Sequence, residues 1–308
     1  MKTPFAKKLV KKIVLFLILA VLPVSFTFPQ ESALVLSGGG GKGAYEVGVW
    51  QALLEYGIAQ KISVIAGSSV GGLNAALFAV SDMDDILAIW RNLVPQFLVE
   101  EDAIISQNGL RKIIESLPLE KLHGSYPFVN VTCVRRRFSV LKTVAKTFGL
   151  ISAGDVAHRF WLNAEDDVSE IRQLLLATSA FPFVTEPVEL KDGYKYTDGG
   201  NELVGGDNVP IDAIIEDSDN GFYGQVDRID TIYVVYLAQV PKRRIKVKDY
   251  DKFRIVEIIP SIDLAGLIDG TCNFTADRIN LLINIGYEDT VRILRDKGLY
   301  PVSGFWFN

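Results

Sequence analysis

A strand, a helix, a second strand and a second helix follow one another between residues 33 and 80, and this alternation constrains the fold more than any other feature. Apolar spacing predicts strands over residues 33–36 and 62–66 and helices over residues 44–56 and 70–80. Two strands joined by a helix pair in parallel in the same sheet. We therefore predict an α/β fold in which a mostly parallel sheet is covered by helices.

The rest of the chain continues this pattern. Further strands are predicted at residues 128–133, 231–237 and 255–259, and further helices at residues 84–93, 109–116, 169–177 and 276–295. No Pro- or Ser-rich linker, internal repeat or low-complexity tract follows residue 30. These observations predict a single domain over residues 31–308.

The first thirty residues differ in composition from the rest. They contain five lysines and no acidic residue, and the lysines precede an apolar run at residues 13–22 that ends at Pro23. This order is typical of an export signal. We predict a signal peptide over residues 1–27, cleaved after Thr27, and hence an exported protein that is periplasmic, in the outer envelope or secreted. An uncleaved N-terminal anchor is the alternative, although the apolar run is short for a hydrocarbon core of about 30 Å.

Without these lysines the chain is distinctly acidic. The full sequence has 32 basic and 37 acidic residues, and removing the five N-terminal lysines leaves 27 basic residues and a net charge of −10. Proteins that bind nucleic acids neutralise phosphates with basic side chains, so we predict no nucleic-acid partner. A local basic patch at residues 242–248 is compatible with lipid contact or with a charged strand edge that discourages aggregation.

Two glycine-rich turns follow the first two predicted strands, at the sheet edge where α/β proteins bind ligands. The first, at residues 38–43, reads Gly-Gly-Gly-Gly-Lys-Gly and formally contains G-x-G-x-x-G. The second strand lacks the terminal acidic residue that a dinucleotide site requires, and Gly43 stands where a P-loop needs Ser or Thr. The turn remains a candidate row of backbone N–H donors for a negatively charged group.

The second turn, at residues 67–71, reads Gly-Ser-Ser-Val-Gly and has the form of a nucleophile elbow. In such an elbow, the middle residue is held at a sharp strand-to-helix turn with its hydroxyl exposed. We therefore predict that Ser69 is a nucleophile. The N–H groups of the first turn would then stabilise the oxyanion that forms when Ser69 attacks a carbonyl.

A serine nucleophile needs a base, and the chain has only two histidines, His123 and His158. A triad that uses His158 remains open, although the segment around it is predicted to be irregular. Asp198 is the preferred candidate, because the two glycines that follow it can hold a carboxylate in a tight turn. An ordinary Asp-Gly hairpin turn would give the same pattern.

Taken together, these motifs resemble those of the patatin-like phospholipase family. That family combines a G-G-G-x-[KR]-G loop, a G-x-S-x-G elbow, a block like Ala-Ser-x-Ala-x-Pro and an Asp-Gly-Gly turn. All four occur here in that order, and residues 177–182, Ala-Thr-Ser-Ala-Phe-Pro, form the third block. The chain departs from the family in the spacing after Asp198, because Asn208-Val209-Pro210 comes only after residues 201–207. This insertion of roughly four residues affects the expected shape of the substrate site.

The resemblance implies a three-layer patatin-like fold and a serine lipid acyl hydrolase, of the phospholipase A or lysophospholipase type, that acts in lipid metabolism or degradation. Ser69 and Asp198 would form a catalytic dyad that requires no metal and no cofactor. The implied oxyanion donors are the amides of Gly38, Gly39, Gly40 and Gly41. The supporting motif residues are Lys42, Gly43, Gly67, Gly71, Gly199 and Gly200.

The implied substrate is a phospholipid or another acyl ester, reached by transient contact with a membrane surface. Candidate interfacial or acyl-pocket side chains are Phe181, Phe183, Phe305 and Trp306. An acyltransferase that uses the same acyl-enzyme and a non-catalytic lipid-binding protein of the same fold are the alternatives.

Overall fold

The computed structural model of the protein describes residues 31–99, 106–124, 126–136, 157–181, 184–202, 205–215, 228–239 and 252–302. Four features predicted from the sequence lie outside these ranges: the export segment, residues 182–183, the basic patch at 242–248, and Phe305 with Trp306. Among the described helices, none has the length and apolar character that crossing a bilayer requires.

Eight strands form one sheet in the described part of the chain. They are β1 (Glu31–Leu36), β2 (Ile62–Ser68), β3 (Phe128–Arg135), β4 (Ala157–Trp161), β5 (Val188–Glu189), β6 (Lys195–Asp198), β7 (Ile229–Val235) and β8 (Arg254–Ile258). The strand order is β5-β6-β3-β2-β1-β7-β8, with β4 also paired to β3. Parallel pairing joins β3 to β2, β2 to β1, β1 to β7 and β7 to β8. Antiparallel pairing joins β4 and β6 to β3, and β5 to β6. This sheet confirms the predicted α/β fold.

The described helices are α1 (Ala44–Glu55), α2 (Val70–Val80), α3 (Met83–Ala88), α4 (Val94–Leu98), α5 (Gln107–Glu115), α6 (Val168–Thr178), α7 (Asp212–Ile215) and α8 (Ala276–Asp296). A 3-10 turn spans Gly40–Gly43, and π-helical turns span Ile89–Leu93 and Leu267–Thr271. The helix predicted over residues 84–93 is present, but it is α-helical only to Ala88 and continues as a π-helical turn to Leu93. Helix α3 passes through the first π-helical turn into α4, which has a proline in its first turn.

Both faces of the central strands are buried, as expected for a parallel sheet covered by helices. Along β1, Leu34 and Leu36 pack into the larger apolar cluster, which includes side chains of α1, α2 and α8. Ala33 and Val35 point to the opposite face, where they pack with the segment that leads into α7. The alternation of side chains along the strand thus supplies both interfaces of a layered α/β fold.

Strand β3 determines where β2 and β6 end. Its residues 128–132 pair with β2, and residues 133–135 pair with β6. Ser68, the last residue of β2, lies opposite Thr132, while Asp198, the last residue of β6, lies opposite Cys133. Two segments that are distant in sequence therefore end at adjacent positions along one strand.

The other edge of β3 is occupied by β4, which pairs with residues 130–134. The prediction that the segment around His158 is irregular is therefore wrong. Every residue of β4 is partly buried, so the strand lacks the apolar and polar alternation that would have revealed it. The His158 ring packs edge-on against Tyr196 of β6, with 5.7 Å between the ring centroids.

Candidate active site

Ser69 lies in the sharp turn between β2 and α2. Its backbone has φ 55° and ψ −127°, a conformation that residues with a Cβ rarely adopt. A Cβ on Gly67 would lie 2.2 Å from the Gly71 carbonyl oxygen, and one on Gly71 would lie 2.4 Å from that of Leu36. Both positions therefore need glycine, because neighbouring backbone fills the space that a side chain would occupy. The result is a strand-to-helix elbow with Ser69 at the N-terminal end of α2.

The Ser69 hydroxyl is hydrogen-bonded to a buried carboxylate. Ser69 Oγ donates to Asp198 Oδ2 at 2.6 Å, and the Gly200 N–H donates to Asp198 Oδ1 at 2.7 Å. Burial raises the pKa of Asp198 to about 6, although both hydrogen bonds favour the ionised form. Asp198 is thus a stronger base than an exposed aspartate, whose pKa is about 3.9, and it remains largely ionised at neutral pH.

Thr178, at the end of α6, joins the elbow to the sheet. Its Oγ1 accepts a hydrogen bond from the Ser69 N–H at 3.0 Å and donates one to the Thr132 carbonyl oxygen at 2.6 Å. The Thr178 carbonyl oxygen in turn accepts from the Gly199 N–H at 3.1 Å. The block at residues 177–182 thus has a physical role, because its second residue, Thr178, holds both turns of the site in place.

Asn208 links the glycine loop to the Asp-Gly-Gly turn. Its Oδ1 accepts from the Gly38 N–H at 3.1 Å, and its Nδ2 donates to the Gly38 carbonyl oxygen at 3.4 Å. A Cβ on Gly200 would lie 2.4 Å from the same Oδ1 atom. The insertion at residues 201–207 therefore leaves Asn208 beside the site.

The hydrogen bond between Gly38 and Asn208 reduces the number of candidate oxyanion donors. The Gly38 N–H donates to Asn208 Oδ1, so it is not a free donor in this structure. The amides of Gly39, Gly40 and Gly41 donate to no acceptor among the described residues. The loop borders Ser69, since a Cβ on Gly38 would lie 3.0 Å from the Ser69 Cβ.

A buried polar network that sequence reasoning missed lies behind the glycine loop. Asn74 Nδ2 donates to Glu46 Oε2 at 2.8 Å and to the Gly43 carbonyl oxygen at 3.0 Å, while Asn74 Oδ1 accepts from Trp90 Nε1 at 3.0 Å. Complete burial raises the pKa of Glu46, although hydrogen bonds from Asn74 and the Ser37 amide oppose this. The network fixes the glycine loop to α1 and α2. The available signal was a glutamate among apolar residues in the first turn of a predicted helix.

Neither histidine is the hydrogen-bond partner of the Ser69 hydroxyl, whose partner is Asp198. His123 is exposed and its Nε2 lies 2.8 Å from the Glu165 carbonyl oxygen, whereas His158 lies in β4. Both cysteines are free thiols; Cys133 is buried and Cys272 is partly exposed.

This fold and site define a structural class: α/β proteins that carry a G-x-S-x-G elbow, a buried aspartate and a glycine loop on a mostly parallel sheet. The family model of patatin-like phospholipases matches residues 34–215. The chain therefore belongs to the patatin-like phospholipase family, and this membership supports lipid ester hydrolysis as its general activity.

Several solved structures are similar to the chain at low sequence identity. VipD from Legionella pneumophila is 12% identical with a TM-score of 0.49, and the match covers 87% of this chain and 67% of VipD. The type III effector ExoU is 15% identical with a TM-score of 0.43, covering 88% of this chain and 54% of ExoU. The structure of the ExoU–SpcU complex of Pseudomonas aeruginosa is 18% identical with a TM-score of 0.39, and the match covers 87% of this chain and 52% of the other. The chain thus spans about half the length of ExoU. No curated protein sequence matches the chain.

Proposed function

We propose that the protein is a serine lipid acyl hydrolase of the phospholipase A or lysophospholipase type. The observation that carries this proposal is the 2.6 Å hydrogen bond from the Ser69 hydroxyl to a buried carboxylate, in a member of a phospholipase family. The raised pKa of Asp198, about 6, supports its role as base, because a general base works best with a pKa near the working pH.

In the proposed acylation step, Asp198 Oδ2 takes the hydroxyl proton while Ser69 Oγ attacks the ester carbonyl carbon. The electrons of the carbonyl double bond move onto its oxygen, and the free amides of Gly39, Gly40 and Gly41 are the candidate donors to this oxyanion. The tetrahedral intermediate then expels the lysolipid or alcohol, which receives the proton held by Asp198. Water, deprotonated by Asp198, attacks the acyl-enzyme and releases the fatty acid and the Ser69 hydroxyl.

A serine-reactive fluorophosphonate tests the nucleophile directly. We expect the reagent to label the wild-type chain on Ser69, and Ser69→Ala to abolish labelling. Ser68→Ala is the matched control, since the buried Ser68 Oγ has no hydrogen-bond partner within the described ranges and its loss should leave labelling intact. Mass spectrometry of the labelled peptide measures the outcome. Equal labelling of the wild type and Ser69→Ala would refute the proposal.

The pH dependence follows from the environment of Asp198. Only the ionised carboxylate can take the serine proton, so kcat/KM for a soluble short-chain ester should rise with pH through an apparent pKa of about 6 and then level off. Below that value, the rate should fall about tenfold per pH unit. Initial rates from pH 4 to 8 provide the measurement. A profile that stays flat down to pH 4.5 in protein that remains folded would exclude Asp198 as the base.

A further inference from the structure

We propose that an exposed apolar tip beside the glycine loop docks the protein onto a zwitterionic phospholipid surface. The docking tip consists of Ile262, Leu267 and Ile268, whose side chains lie in the segment between β8 and α8. This inference rests on the proposed lipid hydrolase function and assigns the surface through which the same site reaches aggregated substrate.

The docking tip exposes more apolar surface than isolated surface residues usually require. Ile262 is 43% exposed, Leu267 is 55% exposed and Ile268 is 78% exposed. A single exposed apolar side chain needs no explanation, but a group of large ones in one loop marks an interaction surface. Leu267 and Ile268 are consecutive in sequence, so two large apolar side chains are exposed at neighbouring positions.

The base of this loop is fixed, so the tip cannot fold back onto the protein without breaking buried contacts. Leu264 is completely buried, and its carbonyl oxygen accepts from Arg278 Nη2 at 2.9 Å. The Ser261 N–H donates to Asp289 Oδ2 at 2.8 Å. Between these anchors and the tip, Ala265 has φ 67°, a left-handed conformation that turns the chain. The loop therefore holds Leu267 and Ile268 outward.

The same loop packs directly on the glycine loop. A Cβ on Gly40 would lie 2.3 Å from the Thr271 carbonyl oxygen, and one on Gly41 would lie 2.3 Å from that of Asn273. Lys42 Cε likewise lies 2.7 Å from the Cβ position of Gly270. Insertion of the docking tip into a lipid surface would therefore bring the candidate oxyanion loop close to the ester bonds of that surface.

Charge near the tip favours zwitterionic over anionic lipid. Asp263 and Asp269 are both exposed; Asp263 lies between Ile262 and Leu267, and Asp269 directly follows Ile268. Anionic lipid would repel these carboxylates, whereas phosphatidylcholine carries no net charge. The apolar side chains would lie at the boundary between headgroups and acyl chains, as in other interfacial segments.

An environment-sensitive fluorophore placed at residue 268 tests the insertion. The label would be attached to Ile268→Cys in a Cys272→Ser background, since Cys133 is buried and should not react. The matched control is Tyr300→Cys in the same background, because Tyr300 is 76% exposed and follows the far end of the 21-residue helix α8. With phosphatidylcholine vesicles, we expect blue-shifted emission from the label at 268 and an unchanged spectrum from the label at 300. All variants keep the N-terminal segment, so its own lipid affinity cannot produce the difference.

Activity provides a second measurement. In the full chain, we expect Ile268→Ser to lower the ratio of vesicle hydrolysis to soluble-ester hydrolysis about tenfold, the effect of losing one buried aliphatic side chain. Tyr300→Ser should leave this ratio unchanged. Replacing a third of the phosphatidylcholine by phosphatidylserine should weaken the response of the label at 268.

Three results would overturn the docking proposal. These are an unchanged spectrum at 268 with phosphatidylcholine, equal spectral shifts at 268 and 300, or a shift that appears without vesicles as the protein concentration rises. The last result would assign the tip to contact between two copies of the chain. If the tip responds to vesicles but the wild type hydrolyses no ester, the docking surface stands and the proposed hydrolase function fails.

Discussion

Asp198→Asn is expected to lower kcat/KM for a soluble ester by about four orders of magnitude while increasing the stability of the folded protein. The activity falls because an amide cannot accept the proton of Ser69, and loss of a correctly oriented base costs serine enzymes about this factor. Asparagine has nearly the same volume, and its oxygen can still accept the Gly200 N–H. Steady-state kinetics at pH 8 measure the loss.

The gain in stability follows from the pKa of Asp198. Burial raises this pKa to about 6 from an unfolded value of about 3.9, so the folded state loses stability from Asp198 as the pH rises through this interval. Above pH 6, the ionised carboxylate destabilises the fold by about 3 kcal/mol, which the neutral amide removes. Thermal unfolding should therefore show a higher Tm for Asp198→Asn at pH 8 and a smaller difference at pH 4.

Asp296→Asn, at the exposed end of α8, is the matched control and should change neither activity nor Tm. A variant that keeps more than a tenth of the wild-type kcat/KM would show that Asp198 is not the base. A lower Tm at pH 8 would show that ionised Asp198 stabilises the fold, contrary to the effect of its burial.

Ser69→Ala and Ser69→Gly are both expected to reduce hydrolysis by about 10⁴-fold or more, yet to differ in stability. Neither side chain can form an acyl-enzyme. At φ 55° a Cβ is strained, so glycine should be more stable than alanine at this position by about 1 kcal/mol or more. Chemical denaturation of the two variants measures the difference in the free energy of unfolding.

Ser81, which ends α2 at φ −124°, supplies the control pair. Here the backbone is relaxed, and Ser81→Gly should be no more stable than Ser81→Ala. If Ser69→Gly is likewise no more stable than Ser69→Ala, the elbow stores no strain at Ser69. Substantial hydrolysis by either Ser69 variant would place the nucleophile elsewhere.

Local patterns predicted the elements that carry the glycine turns. The apolar run of β2, the helical spacing of α2 and the glycines around Ser69 lie within a few residues of one another, so the sequence contains the whole elbow. The α/β class followed from the same segment, because parallel strands need a helical connection. The role of Asp198 as base rested on the family resemblance and on the scarcity of histidine, and it stays a prediction.

The parts that sequence reasoning missed depend on distant contacts. Strand β4 has no apolar alternation, because all five of its residues are partly buried. Nothing near Gly38 indicates that its amide is held by Asn208, which lies 170 positions away in the chain. Glu46 is noticeable in the sequence as an acid among apolar residues, but its partners Asn74 and Trp90 become neighbours only in the folded chain.

The pairing along β3 has a consequence for how chains of this kind can vary in length. Adjacent residues of one strand, Thr132 and Cys133, set the positions of Ser68 and Asp198, so inserting one residue between them would shift one partner by about 3.3 Å and turn side chains to the opposite face. The segment after the Asp-Gly-Gly turn is a loop outside the β3 pairing, and Asn208 contacts the glycine loop after the longer spacing that follows Asp198. We therefore expect related chains to tolerate changes of length in that segment, which lies beside the substrate site. Inserting or deleting one residue in β3 would instead separate Ser69 from Asp198.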